Sequence, residues 1–190
     1  MHSMTHHYHI QVKGIVQGVG FRPFVYNVAV SHNLCGSVSN DTEGVTIHLE
    51  GPDEAIKQCV DIIRNNPPPL AQIIDIKITK LPPNGFKSFT ILQSNTTGTR
   101  DVFIPPDVAI CHECLEDFFD VHNRRYHYPF TTCTHCGPRF SIIDDIPYDR
   151  DNTAMKPFSM CPQCYEEYTN PHNRRFHTQP NACPQCGPHI

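Results

Sequence analysis

The sequence predicts an α+β chain in which a βαββαβ sandwich is followed by a small tandem domain with two four-cysteine units. Two observations carry this prediction. Residues 8–93 alternate between strand-like and helix-like patterns, and the second half of the chain repeats itself with a period of 50 residues. With 190 residues, the chain has room for two small domains but not for one large enzyme fold.

The first elements of the sandwich are a strand, a helix and a hairpin. Residues 8–14 alternate polar and apolar side chains as a strand does, and residues 21–33 place apolar side chains at helical spacing. The three glycines in residues 14–20 predict a tight loop between them. Two strands at 37–40 and 45–49 follow, because Asp-Thr-Glu-Gly between them is a plausible hairpin turn.

A second helix and two strands complete this region. The helix begins at Asp53, has apolar side chains near i, i+3, i+4 and i+7, and stops at the Asn-Asn-Pro-Pro-Pro run of 65–69. Strands are predicted at 73–79 and 86–92. The element order is that of a ferredoxin-like split βαβ sandwich. The predicted organisation is therefore a first domain, a Thr-, Gly- and Pro-rich linker and a tandem zinc-finger domain, at 1–93, 94–107 and 108–190.

Eight of the ten cysteines lie in the tandem domain. Each unit has the pattern Cys-x2-Cys-x18-Cys-x2-Cys, at 111–136 and 161–186. Four thiolates fill the tetrahedral coordination of Zn²⁺, so the sequence predicts two structural zinc ions rather than a catalytic metal. The predicted ligands are Cys111, Cys114, Cys133, Cys136, Cys161, Cys164, Cys183 and Cys186. Two pairings fit: one metal in each repeat, or a nested arrangement of the first pair with the fourth and the second with the third.

The duplicated block His-Asn-Arg-Arg, at 122–125 and 172–175, has two possible roles. Its arginines could bind an anion or a partner domain, or they could cap carbonyls and thiolates near the metals. We favour the second interpretation.

Charge and hydropathy narrow the choice of partners and compartment. The formal net charge is −4 and the sequence pI is near 6.3, which argues against a generic nucleic-acid partner. No apolar run reaches the roughly 18 residues of a membrane span, and we recognise no targeting segment. We therefore expect a cytoplasmic protein without a membrane partner, in which zinc is favoured over disulfides.

The residues Gly14-Ile-Val-Gln-Gly-Val-Gly-Phe-Arg22 predict an anion site. A loop rich in glycine lets several backbone N–H groups point at one spot, and the following helix adds the positive end of its dipole. Arg22 could place its guanidinium on the same anion, which favours phosphate or an acyl phosphate. A second segment, Gly36-Ser-Val-Ser-Asn-Asp-Thr-Glu-Gly44, follows.

These two segments together resemble the acylphosphatase family. The resemblance implies hydrolase activity by in-line attack of water on phosphorus, with Arg22 and Asn40 as the catalytic residues. Arg22 would bind the phosphate and Asn40 would hold the attacking water, while the substrate phosphate could act as the base. The implied phosphate-binding residues are Gln17, Gly18, Val19, Gly20, Phe21 and Arg22.

The whole chain resembles the N-terminal part of the HypF family, the carbamoyltransferases of nickel–iron hydrogenase maturation. This resemblance rests on the first domain being followed by the two four-cysteine units. It also rests on three short motifs: Tyr-Pro-Phe at 128–130, Cys-Thr-His-Cys-Gly-Pro-Arg-Phe at 133–140 and Pro-Tyr-Asp-Arg at 147–150. It implies carbamoyl phosphate as substrate and a HypE-type maturation partner for the full-length protein. The nucleotide-binding and carbamoyl-transfer domains of the family are missing, so we expect a fragment that carries only the hydrolytic step.

Two alternatives remain open at this point. One is a free-standing acylphosphatase with an accessory zinc module, which would prefer small substrates such as acetyl phosphate. The other is a zinc-dependent binding module in which the first domain is an inert platform. Substrate preference separates the first alternative from the HypF interpretation, and the Arg22 and Asn40 arrangement argues against the second.

Overall fold

The computed structural model describes residues 5–95 and 102–190, which fall into two compact units at 1–103 and 104–190. Residues 96–101 of the predicted linker lie outside the described residues. Within the described ranges, none of the helices has the length and apolar character that a bilayer crossing requires. Each unit is described separately below.

The first unit is built on one five-stranded sheet. Its strands are β1 (Thr5–Ile15), β2 (Cys35–Asn40), β3 (Val45–Pro52), β4 (Gln72–Leu81) and β5 (Phe89–Ile91), in the order β4-β1-β3-β2-β5. β1 pairs antiparallel with β3 and β4, and β2 pairs antiparallel with β3. The order of the first four strands, 4-1-3-2, confirms the predicted ferredoxin-like fold. β5 adds a short parallel strand beside β2.

Strand β5 is shorter than the predicted strand at 86–92, and the residues before it make other contacts. The backbone amides of Asn84 and Gly85 donate to the Glu50 carboxylate at 2.6 and 2.9 Å. The ring of Phe86 packs edge-on against His7, with 5.5 Å between the ring centroids. These contacts occupy the chain before β5, so regular pairing begins only at Phe89.

Two helices, α1 (Phe21–Ser31) and α2 (Asp53–Asn65), pack against the sheet. α1 ends two residues before the predicted position, where Asn33 adopts a left-handed φ of 55° that a helix cannot continue through. The alternation along β1 and β3 turns their apolar side chains toward the helices. The core includes Ile10, Val12, Val25, Ala29, Ile47, Leu49, Ile56, Cys59 and Ile63. Burial raises the pKa of the Cys59 thiol to about 12, so this cysteine is a core residue.

The second unit has little regular structure. Its helices α3 (His112–Phe119) and α4 (Pro162–Thr169) each begin directly after the first cysteine of a repeat, and short 3-10 turns lie at Phe140–Ile142 and Arg150–Asn152. Apart from cysteines, its buried apolar side chains among the described residues are a cluster of three, Tyr128, Met155 and Ala182, and the two aromatic residues Tyr148 and Phe176. So small a core implies that metal binding supplies much of the folding free energy.

The duplication is also visible in local backbone structure. The amide of Arg125 donates to the Asn123 side chain at 2.9 Å, and the amide of Arg175 donates to Asn173 at the same distance. Both histidines that follow these blocks have a φ of 54°. The His-Asn-Arg-Arg block is therefore the same turn built twice.

Candidate active site and metal centres

The loop that joins β1 to α1 contains four of the six predicted phosphate-binding residues, Gln17 to Gly20, and the other two, Phe21 and Arg22, begin α1. Gly18 and Gly20 have φ of 68° and 75°, the left-handed region that favours glycine. Gly20 is the N-cap of α1, so the amides that follow it lie at the positive end of the helix dipole. This arrangement is suited to holding an anion.

The buried side chain of Gln17 holds this loop in place through two hydrogen bonds. It is 1% exposed, and its Nε2 donates to the carbonyl oxygens of Asp41 at 2.7 Å and Gly44 at 2.6 Å. Asp41 directly follows Asn40 at the end of β2. The loop is therefore fixed to the turn that directly follows the predicted water-binding residue, Asn40.

Arg22 and Asn40 are both largely buried, at 8% and 1% exposure. Arg22 lies in the first turn of α1 and donates through Nη1 to the Ser94 hydroxyl at 3.4 Å. The carbonyl oxygen of Asn40 accepts a 2.9 Å hydrogen bond from the amide of Asn95. Because Ser94 and Asn95 are consecutive, the same short segment contacts both predicted catalytic residues.

Sequence reasoning missed three residues of this site. Ser94 and Asn95 fall in the predicted linker, and nothing in their sequence indicates contacts with Arg22 and Asn40. Asp41 organises the β2–β3 turn: its Oδ1 accepts from the amides of Glu43 and Gly44 at 2.8 Å each. The sequence signal that could have indicated this role is an aspartate at the start of a short turn that ends in glycine.

The eight cysteines of the second unit form two clusters, one in each repeat: Cys111, Cys114, Cys133 and Cys136, and Cys161, Cys164, Cys183 and Cys186. The nested pairing is therefore not the observed one. Five sulfur–sulfur distances within the clusters lie between 3.6 and 3.8 Å, and all four sulfurs of each cluster lie within 4.8 Å of one another. Four sulfurs around a tetrahedral ion with bonds of about 2.3 Å stand about 3.8 Å apart, so each cluster fits a metal ion of the zinc-finger type.

The duplicated arginines lie beside these sulfurs. Arg124 donates to the Cys164 sulfur at 3.3 Å, and Arg174 donates to the Cys114 sulfur at 2.7 Å. Although burial opposes the charge on Arg124, hydrogen bonds to Glu167 and Cys164 raise the pKa of this guanidinium further above its usual value. The interpretation of the blocks as caps on thiolates agrees with these contacts.

Two known protein families match the chain, one in each of its two compact units. The acylphosphatase family matches residues 8–91, and the HypF finger matches residues 110–143 and 160–190. An acylphosphatase from Thermotoga maritima is 40% identical over 83 residues, which are 43% of this chain and 91% of that protein.

Longer relatives match both units. A carbamoyltransferase HypF from Synechocystis sp. is 46% identical over 149 residues, 78% of this chain and 19% of the relative. The crystal structure of full-length HypF in its phosphate- and nucleotide-bound form matches with a TM-score of 0.95 and 47% identity, over 98% of this chain and 25% of that one. The chain thus spans about a fifth of the length of the HypF relatives it matches. It belongs to the acylphosphatase family through its first unit and, with the HypF finger in its second, is homologous to the N-terminal region of the HypF carbamoyltransferases.

Proposed function

We propose that the first unit hydrolyses carbamoyl phosphate, with Arg22 and Asn40 as catalytic residues and the backbone of 17–21 as the phosphate cradle. The observation that carries this proposal is the 2.7 Å hydrogen bond from Gln17 to the carbonyl of Asp41, which joins the anion loop to the residue after Asn40. With the bond to Gly44, it holds the anion loop beside the turn that follows Asn40.

The site is suited to a phosphoryl group. Loop amides at a helix N-terminus favour an anion of tetrahedral shape, and the planar guanidinium of Arg22 adds a fixed positive charge. Because Arg22 is 8% exposed, its charge acts in a region with little competing water. Both groups stabilise the negative charge carried by the equatorial oxygens during transfer.

Water would attack phosphorus opposite the bond to the carbamoyl oxygen. The new P–O bond forms as the old one breaks, and the bonding electrons leave with the carbamate. Asn40 orients the water through its side-chain amide, while the proton passes to a phosphate oxygen of the substrate, since a neutral amide cannot accept it. The products are carbamate and inorganic phosphate.

We further propose that each cysteine cluster holds one zinc ion with a structural role. Four thiolates complete the tetrahedral shell and leave no position for water or substrate. The expected metal content is two zinc atoms per chain, measured by elemental analysis of the purified protein. One zinc or none in folded protein would contradict this.

In the longer HypF proteins, we propose that this hydrolysis is the first step of carbamoyl transfer in the cytoplasm. The carbamate would be passed on by domains outside the present 190 residues, and the final acceptor would be a HypE-type partner. The two-unit match to HypF relatives supports this placement.

The test is phosphate release from carbamoyl phosphate and acetyl phosphate by the whole chain, corrected for the rate without protein. Arg22→Ala and Asn40→Ala should each lower kcat/KM for carbamoyl phosphate by about 100-fold or more, since each removes a group that acts on the transferring phosphate or its nucleophile. Arg64→Ala, which removes an exposed arginine at the end of α2, should leave turnover unchanged.

Each other outcome has a defined meaning. Full turnover by the Asn40→Ala variant would exclude this residue as the water ligand. A strong preference for acetyl phosphate would support a free-standing acylphosphatase instead. Folded, metal-loaded protein that releases phosphate from neither substrate would contradict hydrolysis by this chain alone.

A further inference from the structure

We propose that the two metal centres are built reciprocally, because each is completed by arginines from the opposite repeat. Metal loss at one centre should therefore weaken the other. The proposal rests on metal binding by the two cysteine clusters and does not depend on hydrolysis in the first unit. Spacing and repeat comparison alone treat the two units as independent.

The first centre receives its arginines from the second repeat. The Nη1 of Arg174 donates to the Cys114 sulfur at 2.7 Å, and its Nη2 donates to the carbonyl of Glu113 at 3.2 Å. Arg174 and Arg175 both form ion pairs with Asp117, three residues after Cys114 on α3. A metal ligand and a carboxylate on one helix thus contact guanidinium groups supplied from 60 residues further along the chain.

The second centre shows the mirror relation. Arg124 of the first repeat donates to the Cys164 sulfur at 3.3 Å and pairs with Glu167 at 2.7 Å. Its neighbour Arg125 donates to both Glu167 oxygens, at 2.8 and 2.6 Å. Glu167 follows Cys164 by three residues on α4, as Asp117 follows Cys114 on α3. Arginine–sulfur and arginine–carboxylate contacts are therefore made in both directions.

Electrostatics gives these contacts their importance. A divalent ion held by four thiolates carries a net charge of about −2, which a nearby guanidinium offsets. The side chains of Arg125 and Arg175 are only 2% and 6% exposed, so their charges are costly to bury without the carboxylate across the repeat, although Arg175 also lies 3.9 Å from Glu167 of its own repeat. If one repeat loses its fold with its metal, its own arginines leave the other centre, and the carboxylate there loses the two ion pairs that those arginines form.

The outer groups of a metal site typically change metal affinity by 10- to 100-fold. Arg174→Gln should therefore accelerate metal loss from the first centre, although all eight ligands remain and the substituted residue lies in the second repeat. Arg124→Gln should accelerate loss from the second centre. Lys156→Gln is the control, since it removes an exposed positive charge from the same unit.

The measurement is the rate at which each cysteine is alkylated after a chelator is added to the zinc-loaded chain, read by peptide mass spectrometry. The Arg174→Gln variant should show about a tenfold or greater increase first at Cys111, Cys114, Cys133 and Cys136. The Arg124→Gln variant should show it first at the other four cysteines. The control should not favour either set.

Unchanged rates in both arginine variants would overturn the proposal. So would faster alkylation of the cluster in the substituted residue's own repeat than of the opposite cluster, because the contact across the repeats would then not be the one that stabilises the metal. A ligand variant tests the coupling directly. Cys183→Ser should accelerate alkylation of the first cluster at least tenfold, and a first cluster that reacts at the wild-type rate would show that the centres are independent.

Discussion

The side-chain amide of Gln17 lies 2.6 Å from the carbonyl oxygen of Gly44, so that the anion loop and the β2–β3 turn are joined through a buried side chain. Gln17→Ala removes this bond and the one to Asp41, leaving two carbonyl oxygens without this donor. We expect a loss of about 1–3 kcal/mol in the free energy of unfolding, because buried polar groups are costly when their partners are removed. A urea titration that follows the first unit measures this loss.

The same variant should also lower kcat/KM for carbamoyl phosphate, because the loop is no longer held at a fixed distance from Asn40. Gln11→Ala, a change on β1 outside the loop, serves as the control for removing a glutamine from this unit. If Gln17→Ala lost stability but kept full activity, the hydrogen bond would have only a structural role.

The fold was predictable from sequence because the pattern that determines each element lies within a short stretch of the chain. Alternation along β1 and β3, helical spacing in α2 and glycines in the first loop each determine an element, and the order of the elements selects the ferredoxin-like topology. Element ends were less predictable. The end of α1 depends on a left-handed Asn33, a conformation that the apolar spacing does not report.

The contacts that complete each site were not predictable, because they join residues far apart in sequence. Ser94 meets Arg22 across 72 positions, and Arg174 meets Cys114 across 60. A pattern search finds the repeated arginine blocks but cannot show that each block serves the opposite repeat. These contacts form because the second His-Asn-Arg-Arg block packs against α3 and the first block packs against α4.

Gly14 is the second position where we expect a specific loss of stability. Its φ is 129°, it lies at the irregular step in the β1–β4 pairing, and a Cβ there would collide with the carbonyl oxygen of Gln72. Gly14→Ala should therefore cost about 1–3 kcal/mol or more in the free energy of unfolding, measured by urea titration.

Gly85→Ala is the matched control. Gly85 has a φ of 77° but open space around it, so it separates backbone strain from collision and should cost less. Equal losses in the two variants would contradict the collision.

The pair Tyr8 and Asp53 predicts a dependence of stability on pH. The hydrogen bond from Lys57, and then the 2.6 Å bond from the Tyr8 hydroxyl, hold the pKa of Asp53 at about 2, below its ordinary value of 3.8. Since the folded-state pKa is lowered, this contribution to stability is present above pH 3.8 and is lost as the pH falls toward 2. Tyr8→Phe should raise the pKa of Asp53 toward 3.8, as measured by NMR titration of its carboxyl carbon.

The variants should also differ in how stability depends on pH. The stability difference between wild type and Tyr8→Phe should shrink as acid protonates Asp53 in both proteins. Lys57→Gln removes the larger contribution and should raise the pKa of Asp53 more than Tyr8→Phe does. An unchanged pKa in Tyr8→Phe would show that the hydroxyl does not stabilise the carboxylate.

Metal removal should separate the two units in stability. The core of the first unit consists of apolar side chains from the sheet and both helices, whereas the buried groups of the second are the cysteines, a few apolar side chains and several polar and charged ones. A strong chelator should therefore abolish hydrogen-exchange protection in α3 and α4 while β1 and β3 keep theirs, because without metal the four thiols of each cluster lose the ion that holds them together. Cys35→Ser should leave metal content and protection of the second unit unchanged, since Cys35 lies on β2 outside both clusters. Protection of α3 and α4 that survived complete metal removal would mean that the arginine and carboxylate contacts hold this unit by themselves. Equal loss of protection in β1 and β3 would mean that the first unit depends on the metal as well.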